Sequence, residues 1–160
     1  MSAPLAIRVT PNVTCTVVVD DPAFVASDAL ARPVNEGLRA TTSLGRRLED
    51  VAGAAMVGRQ RLGEPLDVGA AVVTGAGDLE AKLVIHAVVM TQQEPVSRRG
   101  VALATTSVLQ RASDWGVRSI AVIPFGLGAG NLDVESSADA MLEGLRAWRG
   151  RASSMLSVTF

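Results

Sequence analysis

The clearest chemical signal in the sequence is a glycine-rich segment that follows a short apolar run. Ser119 to Ile123 is apolar and rich in β-branched residues, which predicts a buried strand. Gly126-Leu127-Gly128-Ala129-Gly130 comes next, and Asp133 to Ser137 is a polar segment suited to beginning a helix. Glycines can adopt positive φ and approach a ligand closely, and backbone N–H groups at a helix N-terminus favour phosphate. The segment is a candidate phosphate nest, and a tight turn without a ligand would give the same pattern.

The histidine and cysteine content limits the other kinds of site. His86 is the only histidine and Cys15 the only cysteine. A Ser-His-Asp or Cys-His set therefore has little support, no metal-ligand spacing occurs, and an intrachain disulfide is excluded. A single histidine in an apolar strand predicts a core residue with a satisfied hydrogen bond. We expect Cys15 to pack inertly, and we expect neither a metal nor a cofactor.

Composition favours one domain over residues 1–160 and excludes several classes of partner. The chain has 160 residues, 48% of them apolar, and a net charge of −1. It contains no basic block and no tyrosine, so it lacks the features of a nucleic-acid-binding surface. No apolar run is long enough to span a membrane, and Met1 to Leu5 does not begin a secretory signal. We therefore expect a cytoplasmic protein, and the sequence carries no indication of its oligomeric state.

Strands alternate with helices along most of the chain, which predicts a three-layer α/β/α domain with a mixed, centrally parallel sheet. The first two strands have no helix between them, so they lie at an edge or run antiparallel. The helix that begins at Leu44 has a serine, Ser43, before it as the expected cap. The predicted strands are Leu5–Val9, Thr14–Val19, Ala29–Val34 (weakened by Pro33), Gly69–Thr74, Lys82–Val89, the run from Ser119, and Met155–Phe160. The predicted helices are a single turn at Pro22–Ser27, then Leu44–Gly58, Ser97–Trp115 and Val134–Trp148.

The order of these segments, with several local patterns, resembles the macro domain, the ADP-ribose-binding module. That family opens its site with Gly-Asp-Ile and follows with Asp-Ala-Ile-Val-Asn-Ala-Ala-Asn. Here Asp21 stands seven residues before Asp28, which begins Asp-Ala-Leu-Ala-Arg-Pro-Val-Asn. The resemblance implies that Asp21 accepts a hydrogen bond from the adenine amine and that Asn35 faces the distal ribose. Arg32 replaces the first asparagine of the pattern, and Pro22 replaces an Ile whose N–H helps to hold the nucleotide.

Three later segments carry the resemblance over nearly the whole chain. Lys82 to Val88 reads Lys-Leu-Val-Ile-His-Ala-Val and looks like the family's Lys-Tyr-Val-Ile-His-Thr-Val strand. Pro124 to Leu132 resembles, with one residue fewer, the loop whose backbone amides grip the diphosphate in that family. Ala40 to Gly53 occupies the place of a glycine run and a helix, and it keeps the apolar periodicity but not the glycines.

The resemblance implies a macro-type fold and a module that binds ADP-ribose or a related nucleotide diphosphate, with weak or no catalysis. The alternatives are an ADP-ribosyl hydrolase, acting on modified macromolecules or O-acetyl-ADP-ribose with Asn35 as its catalytic residue, and a degenerate fold without a nucleotide ligand. Side chains in place of the glycine run count against hydrolysis, because such geometry tolerates little misplacement. The residues implied to contact the ligand are Asp21, Asn35, Thr41, Thr42, Ser43, Leu44, Gly126, Leu127, Gly128, Ala129, Gly130 and Phe160.

Several of these residues have a plain structural interpretation as well. Asp21 could cap the turn that begins at Pro22. Asn35 could hold a turn before Gly37. Phe160 could stack on adenine or simply pack in the core. We expect Arg32 to be a solvated surface arginine, with an anion contact as the alternative.

Overall fold

Seven strands form one mixed sheet within the residues that the computed structural model describes, which are 4–53, 56, 64–128, 132–150 and, for the backbone alone, 156–159. The order across the sheet is β1-β2-β7-β6-β3-β5-β4. The strands are β1 Leu5–Thr10, β2 Val13–Val17, β3 Ala29–Asn35, β4 Ala71–Gly75, β5 Leu83–Met90, β6 Ser119–Val122 and β7 Leu156–Thr159.

Strand directions follow the prediction made from the sequence. β1 pairs antiparallel with β2, and β4 pairs antiparallel with β5, so both edges of the sheet are antiparallel. The pairs between them, β2 with β7, β7 with β6, β6 with β3 and β3 with β5, are parallel. The five strands in the middle therefore direct their carboxyl ends to the same edge of the sheet.

Three α-helices and one 3-10 turn are described. The helices are α1 Ser43–Ala52, α2 Arg98–Asp114 and α3 Val134–Ala147, and the 3-10 turn is Pro22–Phe24. Side chains cap all three helices: Thr42 accepts from the N–H of Gly45, Ser97 from Gly100 and Asp133 from Ser136. The expected cap at Ser43 was wrong, because the extended residue that receives the bond is Thr42 and Ser43 is already helical.

Helix α1 ends earlier than the apolar periodicity predicted. Gly53, at φ 79°, follows Ala52 and ends the helix. Of the predicted continuation to Gly58, residues 54–55 and 57–58 lie outside the described residues.

Apolar residues fill both faces of the sheet and make the three layers. On one face the core includes Ile85 and Ile120 of the sheet with Val108 of α2 and Leu145 of α3. On the other face Leu30, Val84 and Ala121 pack with Leu48 of α1. The predicted α/β/α class is confirmed. No helix in the described part of the chain is long and apolar enough to cross a bilayer.

Pro33 lies in the central strand β3, where the sequence alone suggested a weakened strand. The pairing of β3 with β6 ends at Ala31 opposite Val122, and the Ala31 carbonyl accepts from the N–H of Ile123 at 3.1 Å. Pro33, two residues on, turns its nitrogen to the same side. Its missing N–H therefore faces a stretch where the ladder to β6 has already ended, and no ladder bond is lost.

Candidate ligand-binding site

The carboxyl ends of β3 and β6 define a crevice in the sheet. After β3 the chain passes through α1 on one face and reaches β4 at one edge, whereas after β6 it passes through α3 on the other face to β7. Connections that leave two adjacent strands in opposite directions create a topological switch point, which is where open α/β sheets bind ligands. The candidate site therefore follows from the strand order.

The glycine-rich loop stands on one side of this crevice. Gly126 and Gly128 have φ of 85° and 70°, a backbone conformation that L side chains rarely adopt. A Cβ on Gly126 would lie 3.0 Å from Leu132 Cδ1 and 3.1 Å from Val101 Cγ2, so a side chain there would also crowd its neighbours. Leu127 is half-buried between the two glycines, and Ala129 and Gly130 lie outside the described residues.

The loop before α1 stands on the opposite side. A Cβ on Gly128 would lie 3.5 Å from Cγ2 of Thr42, so the two loops face each other, and an added Cβ would already touch Thr42. Thr41 and Leu44 are half-buried and Ser43 is exposed. Two segments that the sequence assigned to one ligand are thus brought together by the fold.

Asp21 follows β2 at the same edge of the sheet. Its Oδ1 accepts from the N–H of Ala23 at 3.1 Å and caps the 3-10 turn, as one of the two interpretations expected. Its Oδ2 forms an exposed ion pair with Arg47 of α1. The hydrogen bond from Arg47 lowers the pKa of the Asp21 carboxyl below its ordinary value, with a smaller effect of the Ala23 N–H in the same direction.

Asn35 ends β3 and holds the turn that follows. Its Oδ1 accepts from the N–H groups of Gly37 and Arg39, both at 3.0 Å. The turn-holding interpretation is therefore realised in the structure. Both lone pairs of the side-chain carbonyl are occupied by the backbone.

Arg32 is buried, and its expected place on the surface was wrong. It has an exposed fraction of 0% and lies in β3 beside His86 of β5. Its Nη1 donates to Glu49 Oε1 at 2.7 Å, its Nη2 to the carbonyl of Leu38 at 3.0 Å, and its Nε to His86 Nδ1 at 2.9 Å. The carboxylate and these two acceptors compensate the loss of water around the guanidinium, so an anionic ligand is not needed to explain it.

His86 is the core residue that the sequence predicted, with two partners. Because the Arg32 guanidinium can only donate, His86 Nδ1 carries no proton, and Nε2–H donates to Thr74 Oγ1 at 2.7 Å. Burial, and next the charge of Arg32, lowers the pKa of His86 to about 3. The ring is neutral at ordinary pH and is not a general base.

Glu49 is the residue of this network that the sequence reasoning missed. An arginine inside a strand as apolar as β3 requires a carboxylate nearby, and that requirement was the available signal. Glu49 lies on α1, next to the buried Leu48, with its side chain 20% exposed.

Two further residues named in the sequence analysis, Cys15 and Phe160, remain to be located. Cys15 is buried in β2, and burial raises the pKa of its thiol to about 11, which suits inert packing. Phe160 lies outside the described residues. In the part of the chain that the structure describes, no group of three or more His, Cys, Asp or Glu side chains is placed to hold a metal ion.

Comparison with protein families decides the affiliation of the chain. The family model of the macro domain matches residues 31–141, which include most of β3, both loops and α2. The chain belongs to the macro domain family. The resemblance seen in the sequence is thereby confirmed.

Solved macro domains share the fold of this macro domain at low identity. A macrodomain of Oceanobacillus iheyensis with ADP is 17% identical, with a TM-score of 0.79 over 98% of this chain and 86% of that chain. The same macrodomain as a mutant with ADPR gives a TM-score of 0.80 at 17% identity over 98% and 89%. A Trypanosoma brucei macrodomain in complex with ADP gives 0.76 at 18% identity over 91% and 63%. The macro-type fold is therefore shown.

Relatives of higher identity are uncharacterized. One, from Mycobacterium tuberculosis (strain ATCC 25618 / H37Rv), is 32% identical over 133 residues, which is 83% of this macro domain and 36% of the relative. Another, from Aquifex aeolicus (strain VF5), is 39% identical over 83 residues, 51% of this chain and 50% of the relative. This macro domain thus spans little more than a third of the mycobacterial protein.

Proposed function

We propose that this macro domain binds ADP-ribose or a related nucleotide diphosphate in the crevice at the carboxyl ends of β3 and β6. The observation that carries the proposal is that Gly128 faces Thr42 at the switch point of the sheet, so closely that a Cβ added to Gly128 would lie 3.5 Å from Thr42 Cγ2. Glycines in the left-handed region leave the backbone accessible to a phosphate. Macro domains of the same fold have been crystallised with ADP and ADPR, which supports this class of ligand.

In the proposed complex, different residues along the edge of the sheet contact the diphosphate, the adenine base and the distal ribose. The loop from Gly126 to Gly130 holds the diphosphate through its backbone. Asp21 accepts from the adenine amine, and Phe160 borders the base. A carboxylate offers about four lone-pair sites, so Asp21 can accept from adenine in addition to Ala23 and Arg47. Asn35, with the loop from Thr41 to Leu44, faces the distal ribose.

We propose binding with weak or no catalysis. A hydrolase would need a polar group free to orient a water molecule beside the distal ribose. The carbonyl oxygen of Asn35 accepts from two backbone N–H groups, so it has no lone pair left to accept a proton from an attacking water, and only its Nδ2 donors could contact one. This geometry favours binding over hydrolysis at Asn35.

Isothermal titration calorimetry with ADP-ribose, ADP and AMP tests the proposal. We expect micromolar binding of ADP-ribose, about −8 kcal/mol, and loss of binding in Gly128→Val, because valine fills the gap to Thr42. The matched control is Gly116→Val: Gly116 has φ 68°, so it bears the same backbone strain, and nothing lies within 4 Å of its Cβ position.

Two results would contradict this function. One is the absence of heat and of a thermal shift for the wild type at millimolar ADP-ribose. The other is a Gly128→Val variant that binds as tightly as the wild type. If Gly116→Val also lost binding, backbone strain would explain the effect of Gly128→Val, and that variant would no longer support the proposed site.

A further inference from the structure

The buried Arg32–Glu49 pair is connected to the turn that leads into the Thr41–Leu44 loop. Arg32 Nη2 donates to the Leu38 carbonyl at 3.0 Å. The Glu49 Oε1 atom that receives Arg32 Nη1 at 2.7 Å also accepts from the N–H of Ala40 at 3.1 Å. The pair therefore bonds to the backbone at two points, one on each side of Arg39.

The stretch that these bonds hold has an unusual backbone. Leu38 has φ 61° and, among the described residues, is the only non-glycine residue with positive φ. Its side chain is nonetheless 1% exposed. A leucine in the left-handed region is strained and persists when its surroundings over-determine it. The hydrogen bond from Arg32 to the Leu38 carbonyl helps to hold Leu38 in this conformation.

Ala40 transmits this arrangement to the loop. A Cβ on Gly45, in the first turn of α1, would lie 3.0 Å from Ala40 Cβ and 3.4 Å from Thr42 Oγ1. Ala40 and Thr42 thus both lie close to Gly45, whose N–H donates to Thr42 Oγ1 at 3.1 Å, and we expect a displaced Ala40 to move Thr42, two residues on. Because Thr42 belongs to the loop proposed to face the distal ribose, the position of that loop depends on where Ala40 is held.

Stability alone is a weak explanation for the pair. A buried ion pair loses so much hydration that an apolar pair of similar volume is often as stable or more stable. Leucine and methionine beside Leu48 and Val84 would avoid that loss of hydration, at the cost of leaving His86 Nδ1 and the Leu38 carbonyl without a donor. The distinguishing property of Arg32 and Glu49 is the direction of their hydrogen bonds to Leu38 and Ala40.

We propose that Arg32 and Glu49 are positioning residues that set the Thr41–Leu44 loop for the group beyond the diphosphate, and so select ADP-ribose over ADP. The inference rests on the proposed function. Neither side chain touches the ligand, and both act through Leu38 and Ala40. ADP, which ends at the diphosphate, depends on the glycine loop and is indifferent to this pair.

Calorimetric titration of Glu49→Gln with ADP-ribose and with ADP separates this role from a merely structural one. We expect the affinity for ADP-ribose to fall about tenfold, the effect of weakening a charged hydrogen bond, and that for ADP to change less than about twofold. Asp50→Asn is the matched control, because Asp50 is the exposed acidic neighbour on the same helix, and it should leave both affinities unchanged. Parallel losses for both ligands would overturn the inference.

The double variant Arg32→Met/Glu49→Leu provides an independent test. It replaces the pair by apolar residues but leaves His86 Nδ1 and the Leu38 carbonyl without their donor, so we expect a lower melting temperature and, well below that temperature, loss of the preference for ADP-ribose over ADP. A folded double variant that retains the wild-type preference would overturn the positioning role alone. A wild-type protein that binds neither ligand would overturn the proposed function and this inference together.

Discussion

Arg32 and His86 are direct partners across β3 and β5: their Cα atoms are opposite each other in the parallel register, and Arg32 Nε donates to His86 Nδ1 at 2.9 Å. A guanidinium bonded to a ring nitrogen fixes the tautomer of the ring, since only the other nitrogen can carry hydrogen. The same bond places a positive charge beside the histidine and opposes its protonation. Two basic side chains thus coexist in the core because one of them stays neutral.

Acid should unfold the protein through His86. Its pKa is about 3 in the folded state and about 6.5 in an unfolded chain, so the unfolded state binds more protons between these values. The contribution of His86 to stability is complete above about pH 6.5 and declines as the pH falls towards 3. We expect the free energy of unfolding to fall by about 2–3 kcal/mol from this residue between about pH 7 and about pH 4.5.

Urea denaturation at a series of pH values measures this effect. In His86→Gln the glutamine oxygen can still accept from Arg32, but the side chain does not ionise, so the stability of this variant should depend less on pH in the same range. Equal pH dependence in the two proteins would show that other groups cause the acid sensitivity.

Asp21 should determine preference for the base. We expect wild-type protein to bind ADP-ribose about tenfold more tightly than the hypoxanthine analogue, which lacks the amine that donates to the carboxylate. Asp21→Ala should reduce this preference to near unity, as measured by calorimetry. Arg47→Met is the control, because it removes the partner of Asp21 and keeps the carboxylate. If Asp21→Ala still preferred ADP-ribose over the hypoxanthine analogue, Asp21 would only cap the 3-10 turn and would not recognise the base.

Asn35 should matter for the turn and not for a reaction. Asn35→Ala removes the acceptor of two backbone N–H groups, and we expect a loss of about 1–2 kcal/mol in the free energy of unfolding. Incubation of the wild type with an ADP-ribosylated protein should release no free ADP-ribose, detected chromatographically. Release by the wild type that Asn35→Ala abolishes would make the domain a hydrolase and contradict the binding-only proposal.

Gly144 should be essential for the packing of α3 on α2. A Cβ on this residue would lie 2.4 Å from the Ala102 carbonyl oxygen and 2.7 Å from Thr105 Cβ. Gly144→Ala should therefore destabilise the protein by about 1–3 kcal/mol through overpacking, measured by thermal or urea unfolding. Gly75→Ala is the control, since nothing lies within 4 Å of its Cβ position. A Gly144→Ala variant as stable as the wild type would show that the helices separate at little cost.

The elements and their arrangement were predictable because they depend on local patterns. Apolar periodicity located α2 and α3 within a residue or two, and an apolar, β-branched run located β6. The positive φ of Gly126 and Gly128 agrees with the conformational freedom read from their residue type.

The interior of the site was less predictable because it depends on distant partners. Arg32 is bonded to Glu49, 17 residues away, and to His86, 54 residues away. These separations along the chain carry no sequence signal, and only the apolar strand around Arg32 indicated that a carboxylate must lie near it. The cap at Thr42 was missed for a local reason: Thr41, Thr42 and Ser43 are all good capping residues, and backbone geometry chose among them.

Pro33 keeps the crevice between β3 and β6 open, because it prevents the two strands from pairing further. Beyond Ala31 the edge of β3 that faces β6 offers no N–H at residue 33, so the two strands cannot extend their ladder through that position and draw together. The covalent structure of Pro33 thereby keeps β3 and β6 unpaired at this position. A ligand bound as proposed would enter an opening that is already ordered in the folded protein, so more of its contact energy would remain as affinity.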